Sequence, residues 1–593
     1  MLTVFVTYHY FLGLRNLNII TETLNRVKKN TGKSIDIERV PFEKDVFAKI
    51  FATGNTNSVF QFESGGMKKM LRQFQPENIE DVILLVAAYR PGPMQYLDNI
   101  IAVKHGRMNP DYVIPEMETI LGQTYGYPVY QEQIMQIFNK FAGFSLGESD
   151  IIRRYMSKKK TEKFAAYKDK FIDGIVARGA DRVKAEDFWT QLVEFSKYAF
   201  NKSHATAYAI VAYYTAYLKL RYPAEYLCAV MNDTVFEKLG GLIADCKGFG
   251  INVYPADINH SEEKFATSKG GIVVGLGLVK AVGNSAEPII ADREANGAYK
   301  SFADFMMRTS CKKNVAENLI YAGAFDAFTK NRQALVDIVS DYSELLKKIK
   351  AKADIINAEC DETDEKVVAK KERAQVAHDT LVASINSISI NTMGEENYLV
   401  RLEKEKEVVG AFVSGHPLDT YGQPADFNCT ATTDVEAGRG ISVMGLITNL
   451  RVVQRKSDGA NLAFFTLEDQ TGKIDVNCFT NTYAQFKDMI AEDAVVVIQG
   501  DVMEDVDNIT DEAVLKLNAK SFKKIQAKQK SIVIEVESPM EWCDSVCNKV
   551  KPYRDNNGAN LVVFDKMNGK FRKTDIKVSN EICSLVELNP RYI

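Results

Sequence analysis

The sequence has only two tryptophans among 593 residues and no marked surplus of either charge. Lys and Arg number 74 against 78 Asp and Glu, a net charge of −4. That balance excludes a protein that holds nucleic acid by bulk positive charge, so any such site must be a local patch. No run of about 18 apolar residues occurs, so no membrane span is expected. The apolar start, residues 1–10, has no basic lead and no small-residue cleavage site, and does not read as a signal peptide. The nine cysteines are scattered. Cys543 and Cys547 have no His or Cys pair near them, so reduced thiols are expected rather than zinc, as suits a cytoplasmic protein. No repeat of fixed period is apparent.

What is present is material for several packed interiors: 46% hydrophobic and 10% aromatic residues over a length beyond that of single cores. Residues 14–235 read mainly helical, with apolar positions at helical spacing in 79–89, 130–141 and 207–220. Arg90-Pro91-Gly92-Pro93 must interrupt a helix, because proline lacks the N–H and restricts the residue before it. Residues 345–379, dense in Lys, Glu, Asp and Ala, read as a solvated helix or linker, and 380–400 as a flexible joint. From 438 to 525 the pattern turns to strands. Ile474, Val476 and Cys478 alternate with polar residues, the period of a half-buried strand. Three strands, a helix at 483–490 and two further strands predict an OB-type barrel. Residues 530–593 read as a small mixed α/β unit. The fold class is therefore multi-domain α+β.

Four constellations carry chemistry. Ser145-Leu146-Gly147-Glu148 fits a capping box, so a helix should start there. Along it run Arg153, Arg154, Lys158, Lys159 and Lys160. Arg154 and Lys158 share a face, and cations so close repel unless an anion such as a triphosphate sits among them. The alternative is a solvated basic face. The second constellation, Phe200-Asn201-Lys202-Ser203-His204 with Tyr198 and Tyr208, sets a cation, amide, hydroxyl and imidazole among aromatics. It suits a nucleotide; a Ser–His nucleophile would need a third orienting group that the sequence does not supply. Third, the glycines of 275–283, around Lys280 and ending at Gly283, allow backbone N–H groups near a phosphate. Fourth, Arg451, Arg455, Lys456, Phe464 and Phe465 in the barrel suit single-stranded nucleic acid, although adjacent strand residues face opposite ways and at least one phenylalanine belongs to the core.

These segments, in this order, resemble the bacterial DNA polymerase III alpha subunit. The residues that carry the resemblance are Ser58-Val59-Phe60-Gln61-Phe62-Glu63-Ser64, Tyr89-Arg90-Pro91-Gly92-Pro93, Tyr130-Gln131-Glu132-Gln133, Arg153-Arg154 with Lys158-Lys159-Lys160, Phe200-Asn201-Lys202-Ser203-His204, Tyr222-Pro223-Ala224-Glu225 and Val413-Ser414-Gly415-His416-Pro417-Leu418-Asp419. The resemblance implies a palm remnant (1–30), largely helical fingers (31–250), a helix-hairpin-helix clamp-binding domain with a charged linker (251–400), a connector (401–437), an OB domain (438–528) and a tail domain (529–593). It implies nucleotide binding by Arg153, Arg154, Lys158, Lys202 and His204, and DNA binding by Lys280, Gly283, Arg451, Arg455, Lys456 and Phe464. The implied partners are primer-template and single-stranded DNA, deoxynucleoside triphosphates, the sliding clamp and, through the C-terminal region, the clamp loader.

The sequence departs from the family in ways that bear on activity. The phosphoesterase-like domain, the thumb and most of the palm find no counterpart, and Tyr10 stands where the family has its third metal-binding aspartate. A phenol is no substitute for a carboxylate on Mg2+, and without the metal pair the reacting oxygens have no electrostatic clamp. The expectation is an inactive portion of the enzyme, from a frame that starts inside a longer gene or from a frameshift. The intact family enzyme would use Mg2+, but none is expected on this chain alone. Ala281 replaces the family's usual glycine, which should weaken phosphate grip. Ile385-Asn386-Ser387-Ile388-Ser389 lies where a clamp-binding peptide is expected but lacks its aromatic. The alternatives are a non-catalytic nucleic-acid-binding replisome module, one half of a split polymerase, or a hydrolase built on His204.

Overall fold

The computed structural model describes residues 15–592 except 91–92, 158–160, 197–199, 236–237, 269, 359–364, 389, 391–396, 423, 456–458, 507–512, 526–530, 538–540, 542–545, 569 and 579–590. Tyr10, Lys158, Tyr198 and Lys456 lie outside the described residues. These divide near Gly415 into two compact units.

The first unit is mainly helical, as the periodicity predicts. At its centre the helix Ile79–Ala88 is buried throughout from Asp81 to Ala88. Asn78 caps it by accepting from the Asp81 N–H, and its last turn ends as Arg90-Pro91 approaches. A helix apolar on all sides must be enclosed. Here it packs on the 20-residue helix Lys202–Arg221, which is itself buried on more than one face. The enclosure takes charges with it. Lys219 is fully buried and meets the Asp245 carboxylate at 2.7 Å and the Asn57 carbonyl at 2.8 Å. Lys104 pairs likewise with buried Asp81 at 2.8 Å. A second cluster, around Phe138, Phe171 and Trp189, gathers helices between 114 and 192.

Residues 250–335 add a small three-stranded sheet and the glycine-rich segment. Beyond them the charged stretch forms two long packed helices, Arg332–Asn357 and Glu365–Asn386. The expected joint at 380–400 is therefore corrected over 380–386 and 398–400, which are helical, and Ile385 is fully buried in the core. Apolar side chains at Ile385 and Ile388, packing inward, outweigh the polar residues between them. Ile385 is accordingly not offered as part of an exposed peptide.

The second unit holds a closed five-stranded barrel. Its strands are ordered Gly438–Gln454, Asn461–Glu468, Lys473–Cys478, Ala513–Lys524 and Val495–Val506, closing on the first. The helix Thr480–Phe486 follows the third strand, as an OB-type barrel requires. A four-stranded mixed sheet ends the chain. No helix of the described residues is long and apolar enough to cross a membrane.

A buried ionic knot joins the helices of the first unit. Arg332, 2% exposed, donates to both oxygens of Asp326 at 2.9 Å and to Glu405 at 2.8 Å. Glu405, fully buried, also accepts from the Val413 N–H at 2.7 Å, the Ser414 N–H at 2.6 Å and the Ser414 hydroxyl. Removing one charge of a buried network leaves its partner only partly compensated, here Arg332 with Asp326 alone. The substitution Glu405→Gln should therefore destabilise the chain by about 3 kcal/mol, read as a lower midpoint in chemical denaturation. An unchanged midpoint would show that the carboxylate contributes no net stability.

Candidate functional site

The start of the helix Lys202–Arg221 is fixed by a neighbouring segment. Tyr130 and Phe200 form a parallel backbone bridge, in which Phe200 N donates to Val129 O at 3.2 Å and Gln131 N donates to Phe200 O at 3.0 Å. Asn201 caps the helix by accepting from His204 N at 2.9 Å. Glu132 then completes the joint: its carboxylate accepts from Asn201 Nδ2 at 2.7 Å and from Lys202 N at 3.0 Å. A carboxylate at a helix N-terminus is stabilised by the helix dipole. Glu132 thus occupies the place where another anion would bind the Lys202 N–H.

The side chains around this helix start form a stack of rings. His204 lies 4.3 Å from Tyr208 and edge-on to Phe200 at 5.2 Å. Tyr208 continues to Phe60 at 5.1 Å, and the Arg90 guanidinium sits 3.8 Å above Phe200. His204 is exposed. Lys202 Nζ donates to Gln123 at 2.8 Å and pairs with Glu80 at 3.0 Å. The arrangement offers a cation, an exposed imidazole and half-buried aromatic rings, which suit a nucleoside. Glu80 and Gln123 carry no signal in the sequence, and Arg90 and Glu132 stand in quoted motifs without a site role assigned to them. Arg90 was within reach, because a proline-terminated buried helix must leave its next residue at the surface.

Arg153 and Arg154 stand on another helix, Leu146–Ser157, attached through Ile152 to the Phe138 cluster. The capping box is present: Glu148 N donates to Ser145 Oγ at 3.3 Å and Ser145 N to Glu148 Oε2 at 2.8 Å. Both arginines bond one carboxylate, Asp150. Arg153 reaches Oδ1 with Nε at 3.0 Å and Nη2 at 2.8 Å; Arg154 reaches Oδ2 with Nε at 2.9 Å and Nη2 at 2.8 Å. Hydrogen bonds from Arg153 lead in holding the Asp150 carboxyl below its ordinary range. The five residues expected to bind nucleotide thus fall into two sets on two helices, with Lys158 outside the described residues.

Glycines 275 and 277 are explained by packing. A Cβ on Gly275 would lie 2.3 Å from the Lys264 carbonyl carbon, and one on Gly277 would lie 2.9 Å from the Glu263 backbone. Gly283 differs, because a Cβ there would meet nothing within 4 Å. Lys280 is engaged on both sides, its N–H donating to Val408 O at 2.9 Å and its amine pairing with Glu407 at 3.3 Å.

On the barrel, the two phenylalanines separate as alternation demands. Phe465 is 3% exposed and in the core, whereas Phe464 is 41% exposed. Arg451 lies across from Phe464 on one side, Asn477 on the other, and Asn518 beyond Asn477. This places a cation, a ring and two amides in one row across four strands, the composition that holds single strands by backbone attraction and base stacking. Arg455 is exposed at the end of the first hairpin.

Among the described residues no group of three or more His, Cys, Asp or Glu side chains could hold a metal ion. The described donor set therefore does not fit the magnesium pair that the resemblance implies.

The bacterial DNA polymerase III alpha subunit finger domain matches residues 16–179, the helix-hairpin-helix motif residues 250–335, and the OB-fold nucleic acid binding domain residues 441–525. The chain is 33% identical to the DNA polymerase III subunit alpha of Borreliella burgdorferi over 577 residues, 95% of this chain and 49% of the relative. It is 35% identical to that of Aquifex aeolicus over 602 residues, 96% of this chain and 48% of the relative. For Thermus aquaticus the identity is 32% over 600 residues, 97% of this chain and 47% of the relative. The chain spans about half the length of the curated relatives it matches.

Ala281 lies in the left-handed region at φ +63°. An L-residue there is strained by about 1–2 kcal/mol, partly offset by the greater freedom of glycine in the unfolded chain. Ala281→Gly should stabilise the chain by about 0.5–1 kcal/mol, seen as a raised unfolding midpoint; a lowered midpoint would contradict the strain.

Proposed function

The chain belongs to the family of bacterial DNA polymerase III alpha subunits, and from that premise we propose that its residues supply the nucleotide- and DNA-contacting part of template-directed DNA synthesis in replication. Arg153 and Arg154, with Lys158 beside them, take the triphosphate of the incoming deoxynucleotide. Lys202 and His204 contact the nucleotide beside the ring stack. Lys280 and Gly283 meet the backbone of primer-template, and Arg451, Arg455, Lys456 and Phe464 hold a single strand. The sliding clamp and, through residues 529–593, the clamp loader are the protein partners, in the cytoplasm.

The observation that carries the nucleotide assignment is the pairing of two adjacent guanidiniums on one carboxylate. Successive helical residues point about 100° apart, and the shared carboxylate draws both guanidiniums to one side of the helix. Planar guanidiniums so paired match phosphate oxygens bidentately.

Mg2+ belongs to the family's reaction, and Tyr10 stands where an aspartate ligand is expected. These 593 residues alone therefore do not extend a primer. The test is an assay with primer-template, deoxynucleotides and Mg2+. No extension is expected, alongside triphosphate binding that falls at least about tenfold in the Arg153→Ala/Arg154→Ala double variant. Robust extension by the chain alone would overturn the catalytic half of this reading, and unchanged triphosphate binding in the double variant the other half.

The barrel surface has its own check. Phe464→Ala should weaken binding of labelled oligo(dT), measured by fluorescence anisotropy, by about 1–3 kcal/mol. Phe465→Ala should instead destabilise the fold by about 3–5 kcal/mol. Binding should loosen with added salt; equal oligo(dT) affinity for parent and Phe464→Ala would remove Phe464 from the interface.

A further inference from the structure

Asp150 sits three and four residues before Arg153 and Arg154, the two spacings that bring it against both neighbours on a helix. Four N–H groups from the two guanidiniums converge on its two oxygens, at 2.8–3.0 Å. An incoming phosphate that engages both arginines needs these same N–H groups. Carboxylate and phosphate are therefore alternatives at one pair of donors.

The carboxylate is placed to yield. The Asp150 side chain is 32% exposed, that of Arg153 34% and that of Arg154 66%. Ion pairs so open to water are weak, because solvent screens both partners. A polyphosphate brings more oxygens and more charge to the same fork and should prevail. The other acidic side chain of this helix is not free to take the place of Asp150. Glu148 accepts from Ser145 at 2.8 Å and 2.9 Å and pairs with Lys170 at 2.6 Å.

We propose that Asp150 is a resident counter-ion: it holds Arg153 and Arg154 together while no nucleotide is bound, is displaced by an arriving polyphosphate, and reclaims the arginines as the polyphosphate leaves. This rests on the preceding assignment of the arginines to the triphosphate. On this reading Asp150 keeps the site from binding polyphosphate, pyrophosphate included, so tightly that it is not released. It is a specificity-setting residue and not a catalytic one. Its effect grows with the charge of the ligand, because a fixed negative charge repels a multivalent anion more than a divalent one.

The test uses the full chain and titrates inorganic phosphate, pyrophosphate and tripolyphosphate by calorimetry at fixed ionic strength. Asp150→Asn retains an oxygen acceptor but removes the charge. It should tighten tripolyphosphate by about tenfold and phosphate by less, with the gain shrinking as salt is added. Asp150→Glu, which restores the charge, should bind like the parent. If Asp150→Asn weakens tripolyphosphate or leaves it unchanged, the carboxylate is a bracket only and the inference falls. In that case the assignment of the arginines still stands, provided that Arg153→Ala/Arg154→Ala loses binding. If the double variant binds tripolyphosphate as tightly as the parent, that assignment fails and the inference with it.

Discussion

Glu132 holds in place the start of the helix Lys202–Arg221. Its two oxygens bond the side chain of Asn201 and the backbone of Lys202, close to 70 residues away in sequence. Through them it fixes the first turn of the helix that carries His204 and Tyr208. The parallel bridge between Tyr130 and Phe200 fixes the residue just before it. The ring contact of Phe200 with His204 and the Arg90 guanidinium above it are built on this anchored backbone. Deeper along the same helix, Lys219 and Asp245 form a buried pair. One end of the helix is thus set by a carboxylate at its cap and the other by a charge pair in the core. Buried pairs of this kind contribute little net stability but tolerate few alternative arrangements.

Much of this was legible in the sequence, and the boundary of what was legible has a physical cause. Local rules read well. The capping box at Ser145 and Glu148, the strands of the barrel and the division of Phe464 from Phe465 each depend on neighbours within a few residues. Contacts over long separations did not read. Glu132 appears in a recognisable motif, yet nothing in its spacing reveals that it caps another helix. Ile385 lies among polar residues and looked like part of a joint, whereas packing against a distant core turned it inward. The glycines at 275 and 277 are a subtler case. The sequence suits them to backbone contact with a phosphate, and the structure adds a packing reason for glycine, since a side chain at either would collide with the backbone at 263–264. Composition shows that backbone must come close to something, and only the structure shows to what.

The charge pattern connects these observations. A net charge of −4 offers no general attraction for nucleic acid, and the cations expected to make contacts mostly have acidic partners. Arg153 and Arg154 share Asp150, Lys202 meets Glu80 and Lys280 meets Glu407. Several of these pairs are exposed and so weakly bound. Binding a phosphate at such a site exchanges one anion for another, in place of filling an empty positive patch. Exchange costs affinity, since the resident carboxylate must be displaced, and it costs a highly charged ligand most, which keeps its release possible. A monovalent anion gains little over a carboxylate already in place, while a polyphosphate or a nucleic-acid backbone brings several charges to donors that are already aligned. On the proposed assignment, a surface built this way would respond to polyanions over other solutes, which would reconcile an acidic chain with the proposed contacts to nucleotides and DNA.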